Sequence, residues 1–509
     1  MDVRFTTESG AVRGFRASDD IVAVLGIPYA APPFGAARFR GPLPPRPWAG
    51  TRDCTAFGPV APQSAELPGA PVWSPGDEDV LTVNVWTPAR GPARAADGHL
   101  PVLVWIHGGA YAFGSSAQPD FDGTVLARAG LVVVTLNHRI GFEGFGHVPG
   151  RPGNRGLLDQ IAALRWTRDN IAEFGGDPGN VTLAGHSSGA ASVTCLMAMD
   201  RARGLFHRAV AHSPAAPFHT PATAGATARE IAAAAGCPAT AEGLSGATPQ
   251  ALVTASDRVV AAYRADPSSG SRHYDPSLFA PVLDGDTLPA DPLAALAAGA
   301  ARDVDLLVCR TTEEYWLLDA VGGCAKITTD ERLDRFAEDF GLPGSLVDGY
   351  RAAMPHAPVS DVHLALFGDL VFGEFTHRLA EAHARTGGRA YVSRFDRRYG
   401  GEGRAAVRAW HCADVPFAFG TLDDERLAFL TGGAPGAEDR ALSRRMVRAW
   451  ADFAATGDPG WPPLARDGTT PPEARVWVTG DQPADHPPAP ASLPARALWT
   501  EVAFPVLHP

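Results

Sequence analysis

The sequence has few cysteines, no cysteine pair at metal-binding spacing and no long apolar run. Its 509 residues include six cysteines, none in a C-x-x-C pattern, so neither a zinc site nor a disulfide framework is indicated and reduced thiols are expected. The longest apolar runs, such as PVLVWI from Pro101 and LVVVTL from Leu131, are far too short to cross a bilayer and suit buried strands. The sequence therefore predicts a protein without a membrane span.

Basic runs and a leader segment are also missing. The net charge of −12 is spread along the chain without a basic patch, which argues against a nucleic-acid partner. The first residues, MDVRFTTESGAVRG, have neither the basic n-region nor the apolar h-region of a secretory signal, so a cytoplasmic protein is expected. A single lysine, Lys326, among many arginines and much Ala, Gly and Pro indicates a GC-rich, bacterial genome.

What is present is the pattern of an α/β protein. Short apolar segments (AVLGIPY, LTVNVW, VLVWIHG and VVVTLN) predict strands in the first third of the chain. From residue 156 the period changes, and GLLDQIAALRWTRDNIAEF predicts an amphipathic helix. Further strands are predicted at RAVAHS, VDLLVCR and RAYVSRF. The alternation predicts a large, mostly parallel sheet flanked by helices.

No repeat or long polar linker divides the chain, so residues 1–509 are expected to form one domain. Two Ala-rich helical stretches, at about 220–300 and 328–387, interrupt the strand pattern. Insertions of this kind usually cover the carboxyl ends of the strands, where ligands bind, so we expect them to form a cap over the active-site pocket. The segment 481–494 is predicted to be a Pro-rich loop.

The chemical signal is the only G-x-S-x-G in the sequence, Gly185 to Gly189, which lies between a predicted strand and a predicted helix. Flanking glycines at such a corner permit a strained turn that exposes the hydroxyl of Ser187. A serine hydroxyl is a weak nucleophile at its ordinary pKa and needs a general base. His186 is its neighbour in sequence, but adjacent side chains diverge at a sharp turn. We therefore expect His186 to line the pocket rather than to act as that base.

A second glycine turn follows the predicted strand PVLVWI. In the segment 106–110, IHGGA, backbone amides free of bulky side chains can point at one oxygen atom, together with the amide of Ser188. Such donors would stabilise a developing oxyanion. A plain Gly-Gly turn is the alternative interpretation.

The chain resembles the type B carboxylesterases, the α/β-hydrolase family that also contains cholinesterases and bacterial para-nitrobenzyl esterases. The resemblance is carried by GAVRG, GIPYAAPPFGAARF, EDVLTVNVW, WIHGGAYAFGSS, NHRIGFEGF, NRGLLDQIAALRWTRDNIAEFGGDPGNVTLAGHSSG and WADFAATGDP. It covers most of the chain and is weaker in the helical insertions. It implies an α/β-hydrolase fold and serine esterase activity.

The resemblance also implies a catalytic triad in the order Ser, Glu, His. Ser187 takes the place of the nucleophile. The family glutamate stands in a D-E-G setting, which here reads EEY and favours Glu314 over its neighbour Glu313. The base stands in a segment like FHALELPFVFG, which here reads WHCADVPFAFG and indicates His411.

The other roles carried over are supportive. Gly109, Ala110 and Ser188 match the family's oxyanion-hole donors. Ser213, in AHSPA, matches a serine that supports the triad glutamate; otherwise it simply ends a strand.

The resemblance further implies two ion pairs. One is expected between Arg38 and Glu78, and the other between Arg139 and Asp159.

Several positions near the predicted chemistry depart from the family pattern. GESAG has become GHSSG, so His186 replaces the acid that helps cholinesterases hold a cationic substrate, which argues against choline esters. Tyr315, which follows the triad glutamate, is a further candidate to line or support the substrate pocket, and Cys412 follows the base. Trp73 matches a tryptophan that binds quaternary ammonium by cation–π attraction, although ordinary packing is the simpler role for it here.

The sequence thus predicts a serine carboxylic-ester hydrolase that forms an acyl-enzyme on a small or medium ester. No cofactor and no metal are implied, because the triad and the amides complete the mechanism. Two alternatives remain at this stage: an acyl transferase or lactone-processing enzyme of a biosynthetic cluster, and a non-catalytic binding homologue. Either a monomer or a homodimer is compatible with the sequence.

Overall fold

The computed structural model describes residues 3–64, 71–89, 98–397, 407–467, 475–479, 493–502 and 504. Within them twelve strands form one sheet. The strands are β1 (Val3–Thr7), β2 (Gly10–Arg16), β3 (Ile21–Pro28), β4 (Thr51–Asp53), β5 (Thr82–Pro88), β6 (Leu100–Ile106), β7 (Val132–Leu136), β8 (Gly176–His186), β9 (Arg208–His212), β10 (Asp305–Thr311), β11 (Ala390–Phe395) and β12 (Arg475–Trp477).

Eighteen α-helices in the same residues surround the sheet and fill the insertions. The helices are α1 (Thr124–Arg128), α2 (Gly141–Phe145), α3 (Arg155–Asn170), α4 (Ser188–Ala198), α5 (Pro221–Ala235), α6 (Ala241–Gly246), α7 (Pro249–Ala265), α8 (Ser271–Tyr274), α9 (Pro292–Ala297), α10 (Trp316–Ala320), α11 (Asp330–Asp339), α12 (Gly344–Ala353), α13 (Val359–Gly368), α14 (Glu374–Arg385), α15 (Val415–Phe419), α16 (Ala428–Thr431), α17 (Ala437–Thr456) and α18 (Leu493–Trp499).

The sheet is mixed, with the order β1-β2-β3-β5-β7-β6-β8-β9-β10-β11-β12, and β4 pairs with β2. The strands from β1 to β7 along this order pair antiparallel, whereas those from β7 to β12 are all parallel. Parallel strands place their carboxyl ends at one edge. The residues that follow β6, β8, β9 and β10 therefore meet there, as the register Ile106 with Gly185 and His186 with His212 shows.

Both faces of the sheet are buried, which explains the continuous apolar runs in the sequence. Along β6, Val102, Val104 and Ile106 belong to the core cluster on one face, whereas Leu103 and Trp105 belong to the cluster on the other. The prediction of a large, mostly parallel sheet flanked by helices is confirmed.

The predicted elements agree with the structure within a few residues. The amphipathic helix is α3, which continues into a short 3-10 turn over Ile171–Phe174. Helices α5 to α9 occupy the first predicted insertion, and α11 to α14 lie in the second. Most of the predicted Pro-rich loop lies outside the described residues, and positions 493 and 494 begin α18 rather than continuing that loop.

One of the two expected ion pairs is present and the other is wrong. Arg139 and Asp159 are buried and bonded at 2.7 Å. Arg38 instead pairs with Glu143 at 2.6 Å, because Glu143 lies buried on α2 next to Arg38, whereas Glu78 is exposed. A buried pair of this kind costs about 3–5 kcal/mol when one partner is removed.

Candidate active site

The turn between β8 and α4 holds Ser187 in a strained conformation. Its backbone angles are φ +56° and ψ −125°, and its amide donates to the carbonyl of His212 at 2.8 Å. A non-glycine residue with positive φ persists only where the surroundings enforce it. A Cβ on Gly189 would lie 2.2 Å from the carbonyl oxygen of Ile106, and one on Gly185 would lie 2.6 Å from the backbone of Gly189. Gly189 therefore allows α4 to pack against β6, and Gly185 allows the strand and the helix to close tightly on each other at the corner.

Glu314 and His411 form a buried hydrogen-bonded pair beside this turn. The Nδ1 of His411 lies 2.6 Å from Oε2 of Glu314. The other oxygen, Oε1, accepts from the hydroxyl of Ser213 at 2.6 Å and from the amide of Thr311 at 2.8 Å. Because both carboxylate oxygens are occupied, the glutamate is fixed in orientation and in turn fixes the imidazole ring. The Nε2 of His411 is left to face another group.

Glu313, the neighbouring carboxylate, points elsewhere. Its Oε1 lies 2.6 Å from Nη1 of Arg408, and its Oε2 accepts from the amide of Ala409 at 3.3 Å. The two adjacent glutamates therefore have separate partners, and Glu314 is the one bonded to the histidine.

The loop after β6 brings unpaired amides to the same edge. Gly109 and Ala110 have φ angles of +120° and +50°, and a Cβ on Gly109 would lie only 1.9 Å from the carbonyl oxygen of Phe113. A Cβ on Gly108 would lie 3.1 Å from Cβ of Ser187, so this loop runs directly past the serine. Across the described chain, the amides of Gly109, Ala110 and Ser188 find no acceptor. They are available to a negatively charged oxygen.

His186 lies against His411 and not in hydrogen-bond contact with Ser187. The ring centroids of the two histidines are 4.4 Å apart, and Nδ1 of His186 lies 4.0 Å from Sγ of Cys412. Burial, followed by the nearby His411 and His212, holds the pKa of His186 well below its usual value, so the ring is neutral. Its Nε2 is buried without a hydrogen-bond partner among the described residues.

Trp73 and Tyr315 are both buried in aromatic packing. The indole N–H of Trp73 donates to the carbonyl of Asp77 at 2.9 Å, and its ring lies 5.7 Å from that of Phe34. Tyr315 stacks on Phe367 with centroids 3.9 Å apart. Their expected roles in a substrate pocket stay predictions.

A buried network under the site was not predicted from the sequence. His212 lies 2.7 Å from Oδ2 of Asp414 through Nδ1, and its Nε2 accepts from the indole N–H of Trp450 at 2.9 Å. The carbonyl of the same histidine binds the amide of Ser187. The network thus joins the serine turn to the loop of His411 and to α17. Its only sequence signal is that Asp414 lies three residues after the expected base.

Comparisons with known proteins agree with this architecture. The model of the carboxylesterase family matches residues 2–342 and 349–477. The chain is 35% identical to para-nitrobenzyl esterase of Bacillus subtilis over 90% of its length and 91% of the relative's, and 34% identical to fumonisin B1 esterase of Sphingopyxis macrogoltabida over 91% and 84%. Among solved structures, a thermophilic PNB esterase matches with a TM-score of 0.79 at 32% identity, covering 94% and 95% of the two chains. A carboxylesterase of Geobacillus stearothermophilus matches with 0.77 at 34%, covering 97% and 99%.

The mixed sheet and the strand–serine–helix corner therefore define an α/β-hydrolase fold. Within that fold class the chain belongs to the carboxylesterase family, and the protein is a serine carboxylic-ester hydrolase. The comparisons do not favour acyl transfer or a purely binding role. In the described part of the chain, no helix is long and apolar enough to cross a membrane.

Proposed function

We propose that Ser187, His411 and Glu314 are the catalytic triad of this ester hydrolase. The observation that carries the proposal is the 2.6 Å contact between Glu314 and Nδ1 of His411, beside a serine held at φ +56° on the β8–α4 corner. With Nδ1 on the carboxylate, the other ring nitrogen is free to take a proton.

In the proposed reaction, Nε2 of His411 removes the hydroxyl proton of Ser187 as the oxygen attacks the ester carbonyl. The tetrahedral intermediate collapses, the C–O bond to the alcohol breaks, and the imidazolium returns its proton to the departing alkoxide. Water then attacks the acyl-enzyme by the same sequence and releases the carboxylic acid. Glu314 stabilises the imidazolium in both halves and stays ionised.

The proposed oxyanion hole consists of the amides of Gly109, Ala110 and Ser188. Support comes from their lack of an acceptor within the described residues and from the passage of the Gly108 backbone beside Ser187. Loss of one such donor typically costs about two to three orders of magnitude in kcat.

For the substrate we propose small or medium neutral esters rather than choline esters. His186 stands where the cholinesterase pattern has a glutamate, and burial keeps its ring neutral, so the position supplies no negative charge to a quaternary ammonium group. We further propose that the two helical insertions cap the pocket of a single-domain enzyme. In support, Phe372 of the second insertion lies with its ring 4.3 Å from that of His411.

A cytoplasmic location is part of the proposal. It is supported by the cysteines, all six of which are free thiols, as expected in a reducing compartment.

The central test is the Ser187→Ala variant, assayed with para-nitrophenyl esters of short acids. Hydrolysis should fall to the background rate while the folded state persists, because only the nucleophile is lost. Ser192→Ala is the matched control: this serine lies on α4, and its hydroxyl contacts Gln160 and Tyr111 rather than the site. Turnover close to that of the unmodified enzyme in Ser187→Ala would refute the assignment.

A further inference from the structure

We propose that His186, His411 and Cys412 form a binding site for a thiophilic divalent cation, with Zn²⁺ as the reference ion, and that its occupation blocks catalysis. The binding half stands on geometry alone. The blocking half rests on the proposed role of His411 as the general base.

The three side chains already converge. One ligand atom from each lies within 4.8 Å of those of the other two. Tetrahedral zinc with Zn–N bonds of about 2.0–2.1 Å and Zn–S bonds of about 2.3 Å implies ligand separations of about 3.3–3.6 Å. Side-chain movements of about 1 Å would therefore bring the three ligand atoms to these separations. The distance between Nδ1 of His186 and Sγ of Cys412, 4.0 Å, is already close to the required value.

The surroundings of His411 are those of a zinc-binding histidine. Such a ligand usually donates its second ring N–H to a carboxylate, which fixes the tautomer and raises the basicity of the metal-binding nitrogen. Glu314 supplies that carboxylate at 2.6 Å from Nδ1. The remaining nitrogen, Nε2, is thus prepared for a metal by the same contact that prepares it for proton transfer.

His186 presents its Nδ1 to this cluster. That nitrogen lies 4.0 Å from Sγ of Cys412, and the buried ring packs with its centroid 4.4 Å from that of His411.

Carboxylates lie near the thiol of Cys412. Glu314 lies 2.6 Å from Nδ1 of the adjacent His411, and Asp414 is two residues after Cys412 along the same loop. Their negative charge attracts a divalent cation. On binding, the thiol proton leaves to water as the metal–sulfur bond forms.

Occupation has a direct consequence for the proposed mechanism. A metal on Nε2 of His411 uses the lone pair that would accept the Ser187 proton, so the acylation step stops. Two imidazoles and a thiolate form a donor set typical of zinc. The sequence does not reveal it, because His186 and Cys412 are 226 positions apart.

The test uses the full-length enzyme with Co²⁺ as a spectroscopic probe and Zn²⁺ as the inhibitor. One equivalent of Co²⁺ should produce a thiolate-to-cobalt charge-transfer band together with the visible absorption of a tetrahedral ion. Zn²⁺ should inhibit ester hydrolysis reversibly, with recovery on adding EDTA. Ser187→Ala should keep the cobalt spectrum, since the serine is not a ligand.

Cys412→Ala should lose the charge-transfer band. Half-inhibition of the turnover of this variant should require about 10–100-fold more Zn²⁺, which is the range seen when metal sites lose supporting groups. Cys237→Ala, which removes another partly buried thiol, is the matched control and should behave like the unmodified enzyme. His186→Gln should weaken Co²⁺ binding but keep the band.

The outcomes separate the two halves of the proposal. Absence of the band in the unmodified enzyme, or equal zinc sensitivity of Cys412→Ala and Cys237→Ala, would overturn the site while leaving the Ser187 assignment intact. A full cobalt band without inhibition by Zn²⁺ would overturn the block and leave the triad assignment, which the Ser187→Ala assay tests separately.

Discussion

At the scale of single residues, two consecutive glutamates show how position decides chemistry. Glu314 accepts from His411, Ser213 and Thr311, so its charge faces the imidazole. The charge of Glu313 faces the guanidinium of Arg408 instead. Two identical side chains on adjacent positions therefore serve different parts of the molecule.

This difference predicts different effects of the same substitution. Glu314→Gln should lower kcat by about 10³–10⁴-fold, because an amide neither stabilises the imidazolium nor holds the correct tautomer. Glu313→Gln should retain most of the turnover and lose stability, because Arg408 is left with a weaker partner. Steady-state kinetics and thermal unfolding of both variants provide the check. Equal kinetic losses in the two variants would contradict the assignment of Glu314.

At the scale of the elements, the β8–α4 corner works only because α4 lies directly against the end of β6. A Cβ on Gly189 would meet the carbonyl oxygens of Ile106 at 2.2 Å and His107 at 2.6 Å. Ile106 is the last residue of β6, and His107 follows it into the proposed oxyanion loop. The close contact of Gly189 with this backbone therefore sets the distance between the nucleophile and the oxyanion donors.

Gly189→Ala should therefore cost about 1–3 kcal/mol of stability through overpacking and should lower kcat by displacing the corner from the loop. Gly225→Ala is the matched control, since Gly225 lies within α5 and its nearest neighbour would be 3.6 Å from the new Cβ. There the same change should stabilise the protein by about 0.5–1 kcal/mol and leave kcat unaltered. Urea unfolding and turnover of the two variants measure this. A stable, active Gly189→Ala enzyme would show that the contact can relax.

Features with a local pattern were the ones that could be predicted from sequence. The apolar runs predict the strands because each strand is buried on both faces, and the glycine-flanked serine predicts its corner. The partner of Arg38 could not be predicted, because Glu143 is 105 positions away and reaches it only through tertiary packing. Likewise, the network of His212, Asp414 and Trp450 joins three distant segments through tertiary packing, which leaves no spacing signature in the chain.

At the scale of the whole molecule, burial of histidines couples folding to pH. The side chains of His107, His138, His186 and His363 are each less than 5% exposed. Desolvation lowers the pKa of His107 and His363 to about 4 and that of the other two well below the usual value. Burial acts in the opposite sense on Asp120, whose pKa is raised to about 7.

These shifts predict a protein that loses stability in mild acid. Between about pH 6.5 and pH 4, a histidine in the unfolded chain binds a proton, whereas the buried histidine of the folded protein does not. The free energy of unfolding is therefore highest above about pH 6.5 and decreases as the pH falls. For His107 alone the decrease is up to about 3 kcal/mol. Asp120 partly offsets the loss, since its folded form holds a proton that the unfolded carboxyl has released. The melting temperature should therefore be lower at pH 5 than at pH 7.5, and Asp120→Asn should steepen the decline by removing the opposing group. A melting temperature that is flat or rises on acidification would show that the buried imidazoles take up protons in the folded state.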